Sequence, residues 1–177
     1  MKYRDIEKFP HIHYKIDVSV DFLQEQLEHL ASTHMGGKLV INPDFQRGHV
    51  WTEEQQISYV EYLLKEPERG HTTTLTFNNA SFHKSNPKLD PNLYCIDGLQ
   101  RYTAIMRFYN NEIPAFGTYL DDFEDKKYLL RKFDIQVAVM EFETRKEMLE
   151  YYLMFNSGGT VHTKEEIDRV RQLLEKE

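Results

Sequence analysis

The sequence predicts one α+β domain in which a small mixed sheet is flanked by helices. Three observations carry that expectation. Segments with strand patterning and segments with apolar residues at helical spacing interleave along the chain, as in a single mixed domain. The run from Phe133 to Phe142 places Ile135, Val137 and Val139 on one face and Ala138, Met140 and Phe142 on the other. Both faces are apolar, the mark of a central strand. No internal repeat, low-complexity tract or linker divides the 177 residues, so one domain spans 1–177 with its core over about 17–176.

Taken in order, residues 1–16 read as an extended lead-in. Asp17 or Ser19 is placed to cap a helix carrying Phe22, Leu23, Leu27, Leu30 and Ala31 on one face. Gly36-Gly37 ends that helix, and Leu39-Val40-Ile41 is a short strand stopped by Asn42-Pro43. Thr52 and Gln55 form a capping box. The helix they open carries Ile57, Val60, Leu63 and Leu64 and closes near Pro67 and Gly70. Thr72 to Phe77 is rich in β-branched residues and reads as a strand. The polar stretch Asn78 to Asn92, with two prolines, reads as a surface loop. Leu93 to Ile96 is a short strand leading into Asp97-Gly98, and Leu99, Tyr102, Met106 and Tyr109 follow at helical spacing until Asn110-Asn111. Beyond the central strand come a helix with Met148, Leu149, Tyr152 and Phe155, a Gly-Gly loop, and a last helix. That helix carries Ile167, Val170 and Leu174 after a capping box of Thr163 and Glu166.

Hydrophobic residues make up 40% of the chain and aromatics 13%, which excludes a disordered class. The net charge of −7 removes the bulk pull that drives non-specific DNA binding, and no basic patch stands out. Cys95 is the single cysteine, so a disulfide framework and a cysteine zinc cluster are excluded; its apolar setting suggests a buried strand thiol. No apolar run approaches membrane-spanning length, and the N-terminus has no signal-like apolar region. A cytoplasmic protein is expected.

Three short blocks carry the chemistry. Ile41 to Arg47 ends in Asp-Phe-Gln-Arg, Cys95 to Arg101 reads CIDGLQR, and Phe155 to Thr160 reads FNSGGT. A strand ending in Asp97-Gly98 and opening directly into a helix puts Asp97 at a capping position and lets a ligand approach the backbone at Gly98. Backbone N–H groups at such a helix start favour anions, and Arg101 adds positive charge one turn in. Gln46-Arg47 repeats that grammar in a turn before a capped helix. Asn156, Ser157, Gly158, Gly159 and Thr160 suit a phosphate or nucleobase loop. Each block has a plainer reading: Asp97 as a cap with Arg101 as its ion-pair partner, Arg47 paired with Asp44 or a glutamate, and the Gly-Gly as an ordinary turn. Phe45 and Trp51 read as core. Together the two motif arginines and the Gly-Gly loop point to one phosphate-handling site, because Arg donates a charged planar fork to phosphate. His11-x-His13 lacks a third ligand, no Walker loop is present, and the acidic run Asp121, Asp122, Glu124 and Asp125 reads as a solvated helix start, with a Mg²⁺ site as the alternative.

At these residues the chain resembles the ParB/sulfiredoxin-like superfamily, and within it the DGQQR family found at the N-terminus of GmrSD-type, modification-dependent restriction enzymes. Pro43 to Arg47 with Trp51, Ile96 to Arg101 with Thr103, and Phe155 to Thr160 with Glu165-Glu166 match that family's motifs in order, over roughly residues 39–170. The resemblance implies a ParB-like fold and a nucleoside triphosphate bound with Mg²⁺ and hydrolysed to regulate a nuclease. It implies that Arg47 and Arg101 hold phosphates, with Gln46 and Gly98 beside them. Gln100 would position the phosphate or an attacking water, Asp97 would orient an arginine or help hold the metal, and Asn156 to Thr160 would close on the nucleotide. Asp97, Gln100 and Arg101 are thus the candidate catalytic residues.

Two departures from the family pattern bear on activity. Leu99 stands where the family has its first Gln, which favours binding with slow or absent turnover. The chain also ends just after the third motif, which suggests a stand-alone regulator, one subunit of a split system or a small phage- or plasmid-borne relative. The alternatives to an NTPase are a non-catalytic nucleotide- or protein-binding regulator or antagonist of a defence system, a ParB-fold phosphotransferase, and a DNA nuclease. Expected partners are a nucleoside triphosphate and a nuclease subunit or DNA.

Overall fold

The computed structural model describes residues 14–33, 36–46, 48, 50–66, 68, 70–81, 88–156 and 164–177. Among these, five strands build one open mixed sheet: β1 (Tyr14–Ser19), β2 (Leu39–Val40), β3 (Thr74–Asn78), β4 (Leu93–Asp97) and β5 (Asp134–Met140), in the order β1-β5-β3-β4-β2. β5 runs antiparallel to β1 and parallel to β3, while β4 runs antiparallel to β3 and parallel to β2. The helices are α1 (Leu23–Ser32), α2 (Glu53–Leu64), α3 (Leu99–Tyr109), α4 (Lys126–Lys132), α5 (Arg145–Asn156) and α6 (Lys164–Leu174). This is the expected α+β domain with a small mixed sheet between helices.

The two-faced pattern of β5 explains the layering. Ile135, Val137 and Val139 join a core with Leu23 and Leu27 of α1, Val60 and Leu63 of α2, and Ile105 and Phe108 of α3. On the opposite face Met140 joins Phe45, Ile96, Met148, Leu149, Tyr152 and Val170, so α5 and α6 cover that side. Burying such side chains contributes roughly 1.5–3 kcal/mol each, and the sheet needs cover on both sides to collect it. Phe45 is buried as expected, with its ring edge-on to Tyr152 at 5.1 Å. Trp51 is partly buried and meets Tyr59 edge-on at 5.3 Å.

The capping box at Thr52 is present in both directions: Gln55 N donates to Thr52 Oγ1, and Thr52 N donates to Gln55 Oε1. Asn110 caps the end of α3, and Asn111 follows at φ 64°.

Three expectations are corrected. The extended lead-in runs past the expected helix cap and is paired: Tyr14–Ser19 forms edge strand β1, along β5 from Tyr14↔Val139 to Ser19↔Asp134. Asp17 therefore lies in a strand, and the Ser19 hydroxyl donates to Leu130 O at 3.1 Å while a 3-10 turn, Val20–Phe22, leads into α1. Phe22 faces solvent, because helical phase begins only at Leu23.

The stretch from Asn78 is not wholly surface loop either. Asn78 ends β3 and extends its pairing through the side chain, accepting from Phe142 N at 2.7 Å and donating to Phe142 O at 3.3 Å. Asn79, also buried, accepts from the amide and hydroxyl of Ser81 at 2.9 and 2.8 Å. The polar composition that suggested a loop is satisfied inside the fold, as buried polar groups must be. Thr163 of the expected capping box and the pair His11 and His13 lie outside the described residues.

Cys95 lies on β4, wholly buried, and burial pushes its thiol up to about 12. Since the thiolate is the reactive form, the native protein at pH 8 is expected to resist a disulfide reagent such as DTNB and to react fully only in denaturant. Rapid stoichiometric labelling under native conditions would contradict this packing.

Candidate functional site

The site grows from the C-terminal end of β4. Phe77 pairs with Cys95 and Thr76 with Asp97, so one step on β3 spans two on β4 and Ile96 is the extra residue of a β-bulge. Bulges re-aim the strand end, and here Asp97 ends the strand directly before Gly98. Gly98 has φ 125°, and a Cβ there would come within 2.7 Å of Leu75 Cδ2. Glycine meets both demands, the left-handed φ and the close approach. Gly98 is also the N-cap of α3, with no side-chain cap bond. Sequence reasoning put Asp97 at the cap; the strand runs one residue further and the cap falls on Gly98.

Asp97 is instead the ion-pair partner of Arg101, one helical turn on. Arg101 is only 7% exposed. Two phenols feel this pair. Burial pushes Tyr59 of α2 up, against the opposing pull of the Arg101 charge, and burial together with the Asp97 charge pushes Tyr151 of α5 up.

Both motif glutamines are latches between the first two blocks. β2 is two residues long and pairs β4 only at Leu93 and Tyr94. Past that point Gln46 takes over: its Nε2 donates to Cys95 O at 2.8 Å and to Ile96 O at 3.2 Å. In the reverse direction Gln100 grips the backbone following Arg47. Its Nε2 donates to Gly48 O at 2.7 Å, and its Oε1 accepts from Val50 N at 2.9 Å and Trp51 N at 3.1 Å. The first Gln-Arg block thus holds the strand before the second, and the second holds the loop after the first.

The C-terminal helix reaches the same turn. Arg169 of α6 donates to Phe45 O at 3.0 Å. Arg145 of α5 pairs with Asp44 at 2.7 Å and with Glu177 at 2.9 Å. Tyr59, Tyr151, Arg145 and Arg169 carried no sequence signal that they adjoin these motifs. Of the predicted site residues, Gln46, Asp97, Gly98, Gln100 and Arg101 come together. Arg47 and Ser157 to Thr160 lie outside the described residues, and Asn156 is described only as the last residue of α5. Leu99 is buried, at the first position of α3.

Fold and site define a class: an α+β domain in which two Gln-Arg blocks interlock at the head of a central helix. The chain belongs to the family described as GmrSD restriction endonuclease, N-terminal domain, whose model matches residues 27–174. That membership ties it to restriction systems. No curated protein and no solved structure matches the chain.

Because each latch satisfies partly buried backbone groups, Gln46→Ala and Gln100→Ala are each expected to cost about 1–3 kcal/mol in urea unfolding. If the two blocks form one unit, the double variant departs from additivity by roughly 0.5 kcal/mol or more. Strict additivity would make the latches independent.

Proposed function

We propose that this domain binds a nucleoside triphosphate with Mg²⁺ and hydrolyses it, and that the nucleotide state regulates a restriction nuclease. The observation that carries the reading is the nearly buried Arg101, held by Asp97 at a helix start without a side-chain cap and beside the latched loop that follows Arg47. A fixed guanidinium next to helix N–H groups favours a polyphosphate through charge and donor geometry. Family membership supports the link to restriction, with a nuclease or DNA as the further partner.

In this reading Arg101 and Arg47 bind phosphates and Asp97 orients Arg101. Gln100 is a positioning residue, since its amide is engaged by the backbone of Gly48, Val50 and Trp51. Asn156 to Thr160 close on the nucleotide. Asp97 supplies a carboxylate near the site, and Mg²⁺ would be held largely by the triphosphate, as Mg²⁺ commonly is. When bound, the ion would neutralise charge developing on the phosphates.

A second reading, nucleotide binding without turnover, draws on the same amide: a Gln100 spent on the backbone is not presented to an attacking water. Burial of Leu99 at the neighbouring position points the same way.

The test is phosphate release from ATP, GTP, CTP, UTP and the deoxynucleotides with Mg²⁺, beside a binding titration. Wild type is expected to turn over at least one of them. Arg101→Lys keeps the charge but loses the planar fork, and is expected to lower kcat/KM by roughly tenfold or more while circular dichroism reports an intact fold. Binding without release would favour the regulator. Neither binding nor release would overturn the nucleotide reading.

A further inference from the structure

A buried polar side chain lies behind the latched loop, outside all three sequence blocks. The buried stripe of α2 is Gln56, Val60 and Leu63, at the spacing of a helix packed on a core. The first position of such a stripe ordinarily takes an apolar side chain, yet here it holds a glutamine only 3% exposed. A buried amide is costly unless its polar groups are bonded, and both ends of this one are. Its Nε2 donates to Trp51 O at 3.2 Å, and its Oε1 accepts from Arg107 Nη1 of α3 at 2.9 Å.

Arg107 is itself held. Its Nη2 donates to Glu53 of α2 at 2.8 Å and its Nε to Glu112 at 3.2 Å, so Nη1 reaches Gln56 in a fixed direction. A guanidinium only donates, and the amide must therefore present Oε1 to Arg107 and Nε2 to Trp51. Trp51 is gripped at both backbone polar atoms, its N–H by Gln100 of α3 and its carbonyl by Gln56 of α2.

We propose that Gln56 is a positioning residue for the site at the head of α3. Oriented by Arg107, it fixes the Trp51 carbonyl and so sets the loop of Gly48, Val50 and Trp51 against Gln100, beside Arg101. This role rests on the nucleotide reading above and adds to it a control outside the motifs. The plainer role is a clasp between α2 and α3. The clasp needs only the bond from Arg107 to Oε1, whereas the loop needs Nε2 aimed at Trp51, so one substitution separates them.

Gln56→Glu makes that separation. At neutral pH its carboxylate keeps the Arg107 bond and adds charge to it, but turns an oxygen towards Trp51 O where a donor stood. Gln56→Met fills a similar volume and lacks both bonds. The readouts are hydrogen exchange at the Val50 and Trp51 amides without nucleotide, and titration of the full chain with ATP, GTP, CTP, UTP and the deoxynucleotides in Mg²⁺. Both variants are expected to keep the wild-type circular dichroism. Exchange at the two amides is expected to rise roughly tenfold or more. Affinity for the nucleotide that wild type binds is expected to fall roughly tenfold, because a loosened loop must be ordered on binding. Gln56→Glu matching wild type in both readouts would reduce Gln56 to a helix clasp and overturn the proposal. Faster exchange with unchanged affinity would also overturn it, leaving the nucleotide reading intact. A wild type that binds none of these nucleotides would overturn that reading, and this role with it. If Gln56→Glu does not fold, Gln56→Met decides the question by the same two readouts.

Discussion

The arrangement at the head of α3 depends on one constraint: backbone left unpaired where the sheet edge stops must be satisfied by side chains. β2 pairs with only two residues of β4, yet β4 runs on through a bulge to Asp97. Carbonyls at Cys95 and Ile96 receive hydrogen bonds from Gln46, and the loop at Gly48, Val50 and Trp51 is held by Gln100. An unmade buried hydrogen bond costs more than a made one gains, so these latches are strongest as conditions on what cannot be lost. They convert a weak edge into a fixed relation between the first block and the β4–α3 junction, about fifty residues apart in sequence.

That relation gives the Asp97–Arg101 pair its setting. A nearly buried guanidinium is costly unless its partner stays in place, and removing one member of a desolvated pair destabilises far more than replacing both. The bulge, Gly98 and the packing of Leu75 fix the backbone from which both members project. On the other face, Phe45 anchors the same turn into the core shared by α5 and α6, and Arg169 and Arg145 hold its backbone and Asp44. The turn preceding Arg47 is therefore tied to the sheet through Gln46 and to the C-terminal helix, and the loop following Arg47 is tied to α3 through Gln100. Such over-determination is what a preorganised site requires.

Much of this was legible in the sequence where a physical period or a local cap wrote it. The two-faced run of β5, the strand into Asp97-Gly98 and the Thr52–Gln55 box rest on local rules, and the structure follows them. The pairing of edge strand β1, and its run through Asp17 to Ser19, is not legible in the sequence because the alternation of Tyr14, Ile16 and Val18 with polar residues is short and half-buried. Asn78 and Asn79 were assigned to a loop by composition, and only long-range partners such as Phe142 show why asparagine is accommodated there. The Gln46 and Gln100 latches were invisible for the same reason: a side chain bonding to backbone some fifty residues away has no periodic signature. The motifs announced that these residues mattered, and the geometry assigns the glutamines to holding backbone.

The most direct measurement is hydrogen exchange at the amides of Val50 and Trp51, both held by Gln100 Oε1. If the latch fixes this loop, the two amides in the wild type exchange far more slowly than an exposed loop. In Gln100→Ala they exchange fast, while the amides of α3 and β5 keep their protection. Fast exchange at Val50 and Trp51 in the wild type, or no change on substitution, would mean that Gln100 does not hold the loop and that the two Gln-Arg blocks are not one unit.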